Sequence, residues 1–183
     1  MINVALFGFG RIGQMHGNNL FKHPRFNLKY VYDRDERLSK KSERMFKSRS
    51  IKDYKIALKD KSISVIFIAS STPTHINFIR EAALYKKTIF CEKPLDLDLN
   101  KIVKCKKYIK KFSPHIQLGF NRRYDPGHYY LKKSIDQKKI GTLQKIIITC
   151  RDPAPPSLAY LKTAGGIFKD MIIHDFDLIR FYL

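Results

Sequence analysis

Two rhythms of apolar residues alternate along the first two thirds of this chain. Short unbroken runs at 2–7 (INVALF), 28–32, 64–69 (SVIFIA), 88–91 and 115–120 have the length and the branched or aromatic content of strands buried on both faces. Between them, apolar positions recur three and four apart. Ile12, His16 and Leu20 do so before Pro24, Ile76, Ile79 and Ala83 do so within 74–85, and Ile102, Cys105, Ile109 and Phe112 do so after a cap at Asp96 or Asp98. Charged helices are expected at about 36–46 and 53–58. Strand followed by helix, repeated through 120 residues, predicts an α/β fold with a doubly wound parallel sheet.

Beyond that point the rhythm changes. Pro126 suits the first turn of a helix running to about 138, which Gly141 ends. Residues 142–151 read as a strand, and Asp152-Pro153-Ala154-Pro155-Pro156 as a stiff irregular loop. Gly165-Gly166 introduces a last helix from Phe168 to about Tyr182. The expected organisation is a first domain over 1–120 and the beginning of a second, α+β domain over 121–183.

Candidate chemistry gathers where strands end. The first run leads into Gly8-Phe9-Gly10-Arg11-Ile12-Gly13 and then a helix. In that context Gly8 permits a tight turn, Gly10 lets the backbone approach a pyrophosphate, and Gly13 lets helix and strand pack closely, so Gly8, Gly10, Arg11, Ile12 and Gly13 form a candidate dinucleotide turn. The helix start would aim its N–H groups at the phosphates. Asp33, at the end of the second strand, is placed to accept from both ribose hydroxyls and to repel a 2′-phosphate, which favours NAD over NADP; Arg34 beside it softens that preference. Ser70 and Thr72 follow the next strand, in the loop position that lines a ligand crevice. His75 either packs at a helix start or reaches the cofactor. Glu92 and Lys93 follow the fourth strand, with Pro94 restricting the lysine backbone; Glu92 is grouped with the cofactor residues. Asp170 and His174, four apart on the expected last helix, share one face, with Asp177 close to it. Arg122 and Arg123 either grip a polyhydroxyl or anionic group or form structural ion pairs.

Charge changes this picture little. Lys and Arg outnumber Asp and Glu by 36 to 16, a formal charge of +20. The lysines recur through every expected helix and form no single patch, so they read as solvated faces, and no nucleic-acid partner is expected. Three cysteines without CxxC spacing indicate neither a zinc site nor a disulfide framework, and no other metal cluster is expected. The apolar runs fall short of the roughly 20 residues that span a bilayer, and the first strand leaves no room for a signal peptide. The expectation is a cytoplasmic protein without a membrane partner.

The segments GFGRIGQMHGNN, ASSTPTH, CEKPLDLDL, GFNRRYDP, CRDPAPP and GGIFKDMIIHDFDLIRF together resemble the glucose-fructose oxidoreductase/inositol dehydrogenase/rhizopine-catabolism family, and within it the inositol dehydrogenase branch. The resemblance runs end to end. It implies a Rossmann domain, NAD as cofactor, and oxidation of a secondary alcohol of a cyclic polyol, myo-inositol above all, with another sugar or polyol as the alternative. It matches Lys93, Asp170 and His174 to the family's catalytic lysine, aspartate and histidine, and Asp33 to its NAD-selecting acid. Arg122 and Asp152 fall near the substrate by the same comparison. The resemblance also implies a further open sheet, completing the substrate pocket and the homo-oligomer interface, which these 183 residues do not encode. A non-catalytic NAD-binding remnant and a basic nucleic-acid binder are the readings from other classes.

Overall fold

The computed structural model describes residues 1–152 and 154–183, and of Ala159 the backbone only. Two compact units result, Met1–Gly119 and Phe120–Leu183.

The first unit is a six-stranded, all-parallel sheet in the order β3-β2-β1-β4-β5-β6. Its strands are β1 (Ile2–Phe7), β2 (Phe26–Tyr32), β3 (Arg49–Ile51), β4 (Ile63–Ile68), β5 (Thr88–Cys91) and β6 (Ile116–Leu118). Helices α1 (Arg11–Lys22), α2 (Glu36–Phe46), α3 (Lys55–Lys59), α4 (Thr72–Leu84) and α5 (Leu99–Ile109) connect them. Strand order reverses between β1 and β4, the switch point at which such sheets open a crevice at the carboxyl ends of their strands. Two apolar clusters hold the layers together. Ala5, Phe7, Ile66, Ile68, Phe78, Ile79 and Ile89 belong to one, and Val4, Leu6, Phe9, Leu20, Val31 and Phe46 to the other. Alternate residues of β1 thus feed opposite faces, as the period-two geometry of a strand requires.

Local signals set several boundaries. Asp35 accepts from Arg37 N at 2.9 Å to start α2, and Asp98 accepts from Asn100 N at 2.8 Å to start α5. A one-turn 3₁₀ segment, Lys110–Phe112, extends α5 and brings Phe112 against the core. Strand β3 was not expected. It has only three residues and two of them are polar, so its register with Tyr30–Tyr32, not its composition, makes it a strand. At the amino ends of the strands, buried Lys87 donates to the carbonyls of Asp60 and Ile63, both at 2.8 Å. Asp60 accepts from Lys29 at 2.7 Å and from the Tyr30 hydroxyl at 3.0 Å. The Lys29 and Ser62 hydrogen bonds hold the Asp60 carboxyl well below the usual carboxylate range.

In the second unit the described residues form helices: α6 (Pro126–Asp136), α7 (Leu158–Leu161), α8 (Ile167–Asp170) and α9 (Ile173–Tyr182), preceded by a 3₁₀ turn at Asn121–Tyr124. Two expectations are corrected here. Residues 142–151 form no strand, because no ladder partner for them exists among the described residues, and an extended segment alone is not stable as a strand. The expected last helix is broken. The Ile172 amide reaches back to Ile167 O at 2.9 Å and the His174 amide to Met171 O at 3.1 Å, so the ladder slips between α8 and α9. Of the expected loop at 152–156, Pro153 lies outside the described residues. Among the described residues no helix is long and apolar enough to cross a membrane.

Candidate functional site

The Gly8–Gly13 turn follows β1 at the switch point. Gly8 adopts φ +93°, and a Cβ there would lie 2.4 Å from the Ser70 backbone, so no larger residue fits. A Cβ on Gly13 would lie 2.1 Å from the Gly8 carbonyl oxygen, which explains how closely α1 approaches the turn. Above Gly10 the situation is opposite: an added Cβ would meet nothing within 4 Å. The backbone there faces open space. Gly10 is also the N-cap of α1, without a side chain to accept, and the first turn carries no acidic residue. The first amides of α1, from Arg11 and Ile12, are therefore available to an anion, as a dinucleotide's phosphates require.

Asp33 is fixed beside this turn. Its Oδ2 accepts from Phe9 N at 2.6 Å and its Oδ1 from Asp35 N at 2.8 Å. Two oxygens that have taken one hydrogen bond each keep lone pairs for ribose hydroxyls. Arg34 next to it is exposed. The residues present thus fit a dinucleotide: a glycine turn with an open face, uncapped helix amides and an anchored carboxylate.

The loops after β4 and β5 lie at the same end of the sheet. The Ser70 hydroxyl is 2.6 Å from that of Thr74, which donates to Ser71 O at 2.7 Å, and half-buried Thr72 begins α4. His75 is 1% exposed. Its Nδ1 is 2.8 Å from Pro94 O and its Nε2 2.9 Å from Ser70 O, so both ring nitrogens face main-chain carbonyls. Of the two readings open for His75, packing at the helix start matches this placement. Glu92 Oε1 lies 2.6 Å from His16 Nε2 of α1, while Lys93 N donates to Glu92 Oε2 at 3.3 Å. Lys93 is half-buried, and its peptide bond to Pro94 is cis. Cys91 and Cys105 are buried, and burial pushes both thiols above their ordinary range.

In the second unit both arginines of the 3₁₀ turn are engaged by carboxylates of α9. Arg122 pairs with Asp175 and also donates to Cys150 Sγ at 3.1 Å. Arg123 binds Asp177 through two contacts of 2.6 Å. Asp170 ends α8 and His174 is the second residue of α9, so the two do not lie on one continuous helix as expected. Asp170 Oδ2 accepts from the Tyr160 hydroxyl at 2.7 Å, and the half-buried His174 ring meets Phe120 edge-on at 6.2 Å. Asp152 is exposed. Sequence reasoning missed Tyr160, Asp175 and His16, whose contacts are set by tertiary folding and carry no local signal.

Two family profiles match the chain. One, described as "Oxidoreductase family, NAD-binding Rossmann fold", covers residues 2–120, and the other, "GFO/IDH/MocA C-terminal domain", covers 128–183. Myo-inositol 2-dehydrogenase of Thermotoga maritima is 37% identical over 183 residues, all of this chain and 55% of the relative. A myo-inositol dehydrogenase structure from Corynebacterium glutamicum superposes with a TM-score of 0.95 at 34% identity, over 100% of this chain and 55% of that one. The scyllo-inositol dehydrogenase of Lactobacillus casei, solved with NAD(H) and scyllo-inositol bound, gives 0.86 at 29% identity, over 100% and 56%. The chain spans about half the length of the relatives it matches.

Proposed function

The chain belongs to the GFO/IDH/MocA oxidoreductase family, and on that premise we propose that it binds NAD and oxidises a secondary alcohol of a cyclic polyol, with myo-inositol, oxidised at one ring carbon to the ketone, as first substrate. The observation that carries the reading is the Gly8–Gly13 turn, open above Gly10 and flanked by an Asp33 carboxylate that Phe9 N–H holds in place. NAD, which the Gly8–Gly13 turn and Asp33 would hold, would supply the acceptor for the hydride of the alcohol carbon. Everything else falls to side chains. His174 takes the hydroxyl proton as general base, and Asp170 stabilises the protonated imidazole. Lys93 donates a hydrogen bond to the oxygen as negative charge develops on it. Asp33 selects NAD by refusing a 2′-phosphate, and Arg122 and Asp152 take substrate hydroxyls.

NADH formation by the purified chain, measured against a panel of inositols and sugars, tests the reading. Turnover with myo-inositol is expected, and Lys93→Ala and His174→Ala should each lower it by about 10²–10⁴-fold. Full turnover in either variant would overturn the role given to that residue. A second reading, NAD binding without turnover, draws on the apolar surface of the second unit, where Ile147, Leu158 and Phe168 are 76%, 78% and 66% exposed. Saturable NADH binding with no product from any polyol would favour it.

A further inference from the structure

The lysine backbone is held from both sides by histidines that the proposed chemistry does not use. On one flank, His16 of α1 reaches Glu92 Oε1 at 2.6 Å, and the other oxygen of that carboxylate takes the Lys93 amide at 3.3 Å. The carboxylate only accepts, so His16 Nε2 carries the proton and donates. The His16 ring is fixed against Phe90 and Phe67, at centroid distances of 5.1 and 5.9 Å. The Glu92 carboxylate also lies close over Gly119, where an added Cβ would come within 2.9 Å of its Oε2. On the other flank, buried His75 spans the Pro94 and Ser70 carbonyls and ties the loop after β5 to the loop after β4. A neutral ring donates to one of these at a time, and either choice keeps the ring between the loops.

We infer that His16 and His75 are positioning residues that clamp the Glu92-Lys93-Pro94 turn, and that the His16–Glu92 contact ties the lysine to α1, the helix whose first amides face the dinucleotide's phosphates. Phosphate binding at the start of α1 then orders the same helix that holds Glu92, so cofactor and lysine are brought to register together. This rests on the reading of Lys93 as a group that acts on substrate. Its physical content is narrower: without the clamp, the half-buried Lys93 spends more time exposed.

Competitive acetylation of the full 183-residue chain by an amine-reactive ester, resolved by mass spectrometry, reads this directly, with exposed Lys104 as internal standard. His16→Phe keeps the ring between Phe67 and Phe90 but removes the donor, whereas His16→Gln keeps an N–H donor. His75→Phe and Gly119→Ala disturb the other flank and the Glu92 carboxylate. The Lys93 rate relative to Lys104 should rise about three- to tenfold in His16→Phe, His75→Phe and Gly119→Ala, and stay within about twofold in His16→Gln, the scale of one lost hydrogen bond. Equal Lys93 rates in the unsubstituted chain and the Phe variants would overturn the clamp. So would identical behaviour of His16→Gln and His16→Phe, or a rise shared by every lysine, since each assigns the rings to ordinary packing. NADH binding and turnover by the unsubstituted chain are separate measurements, and their failure would remove the catalytic reading while leaving the labelling result standing.

Discussion

The two units reach stability by different means. In the first, every strand has a partner, and the β1 residues Val4, Ala5, Leu6 and Phe7 are wholly buried between two helical layers. In the second, the buried apolar residues among those described are Leu178 and Tyr182 alone, while Tyr130, Ile147, Leu158 and Phe168 stand exposed. What closes it is polar: Arg122 with Asp175, Arg123 with Asp177, His128 with the Tyr182 hydroxyl at 2.6 Å, and Tyr160 with Asp170. The lesson is that the dinucleotide half rests on hydrophobic burial, which is non-directional and robust. The half carrying Asp170 and His174 rests on a few directed contacts that fail singly.

That contrast can be broken by substitution. The largest effect is expected from Ile66→Ala, which opens a cavity at a fully buried position and should lower the stability of the first unit by about 2–5 kcal/mol in denaturant unfolding. Phe176→Ala, at a position 52% exposed, should cost less than about 0.5 kcal/mol. Equal costs would erase the distinction. Next comes Asp177→Ala, which strands Arg123. Because that guanidinium keeps 36% of its side chain in water, the loss should be about 2–3 kcal/mol, below the usual figure for a broken buried pair. Hydrogen exchange should accelerate in α9 and leave β1 and β4 protected; acceleration in β1 as well would show that the units are not independent in this respect.

Smaller and more specific is Gly10→Ala. The added Cβ meets nothing in the chain, so melting should be unchanged while NADH affinity falls about tenfold, because the methyl occupies the space the pyrophosphate needs. Unaltered affinity would argue against phosphates over Gly10. The smallest effect concerns pH. Asp60 has a folded pKa below its unfolded one, so its contribution is full above the unfolded carboxyl value of about 4 and is lost as pH falls toward the lower folded value. Acid unfolding of the first unit should accordingly become less steep in Asp60→Asn, and an unchanged acid limb would remove Asp60 from the account.

Much of the first unit was legible because each element carries its own signal. Helix α2 spans Glu36–Phe46, where a charged helix was expected, and β1, β4 and β5 appear where unbroken apolar runs demand buried strands. Strand β3 escaped notice because Arg49-Ser50-Ile51 acquires its character only from pairing with β2. In the second unit the same reasoning overreached. Residues 142–151 read as a strand but find no ladder partner among the described residues, and the Met171-Ile172 break lies inside apolar periodicity with no glycine or proline to mark it. The glycine turn and Asp33 could be read because their spacing is local. The contacts of His16 with Glu92, of His75 with Pro94 and of Tyr160 with Asp170 join residues that only folding brings together.

The central claim is that the turn at Gly8–Gly13 and the carboxylate of Asp33 make a site for NAD. Titration of the unsubstituted chain and of Asp33→Asn with NADH and NADPH tests it most directly, since asparagine keeps an acceptor for the Phe9 amide but drops the charge. The account predicts saturable NADH binding, at least about tenfold tighter than NADPH, with that preference collapsing in the variant. Absence of saturable NADH binding, or a preference that survives the loss of the carboxylate, would contradict it.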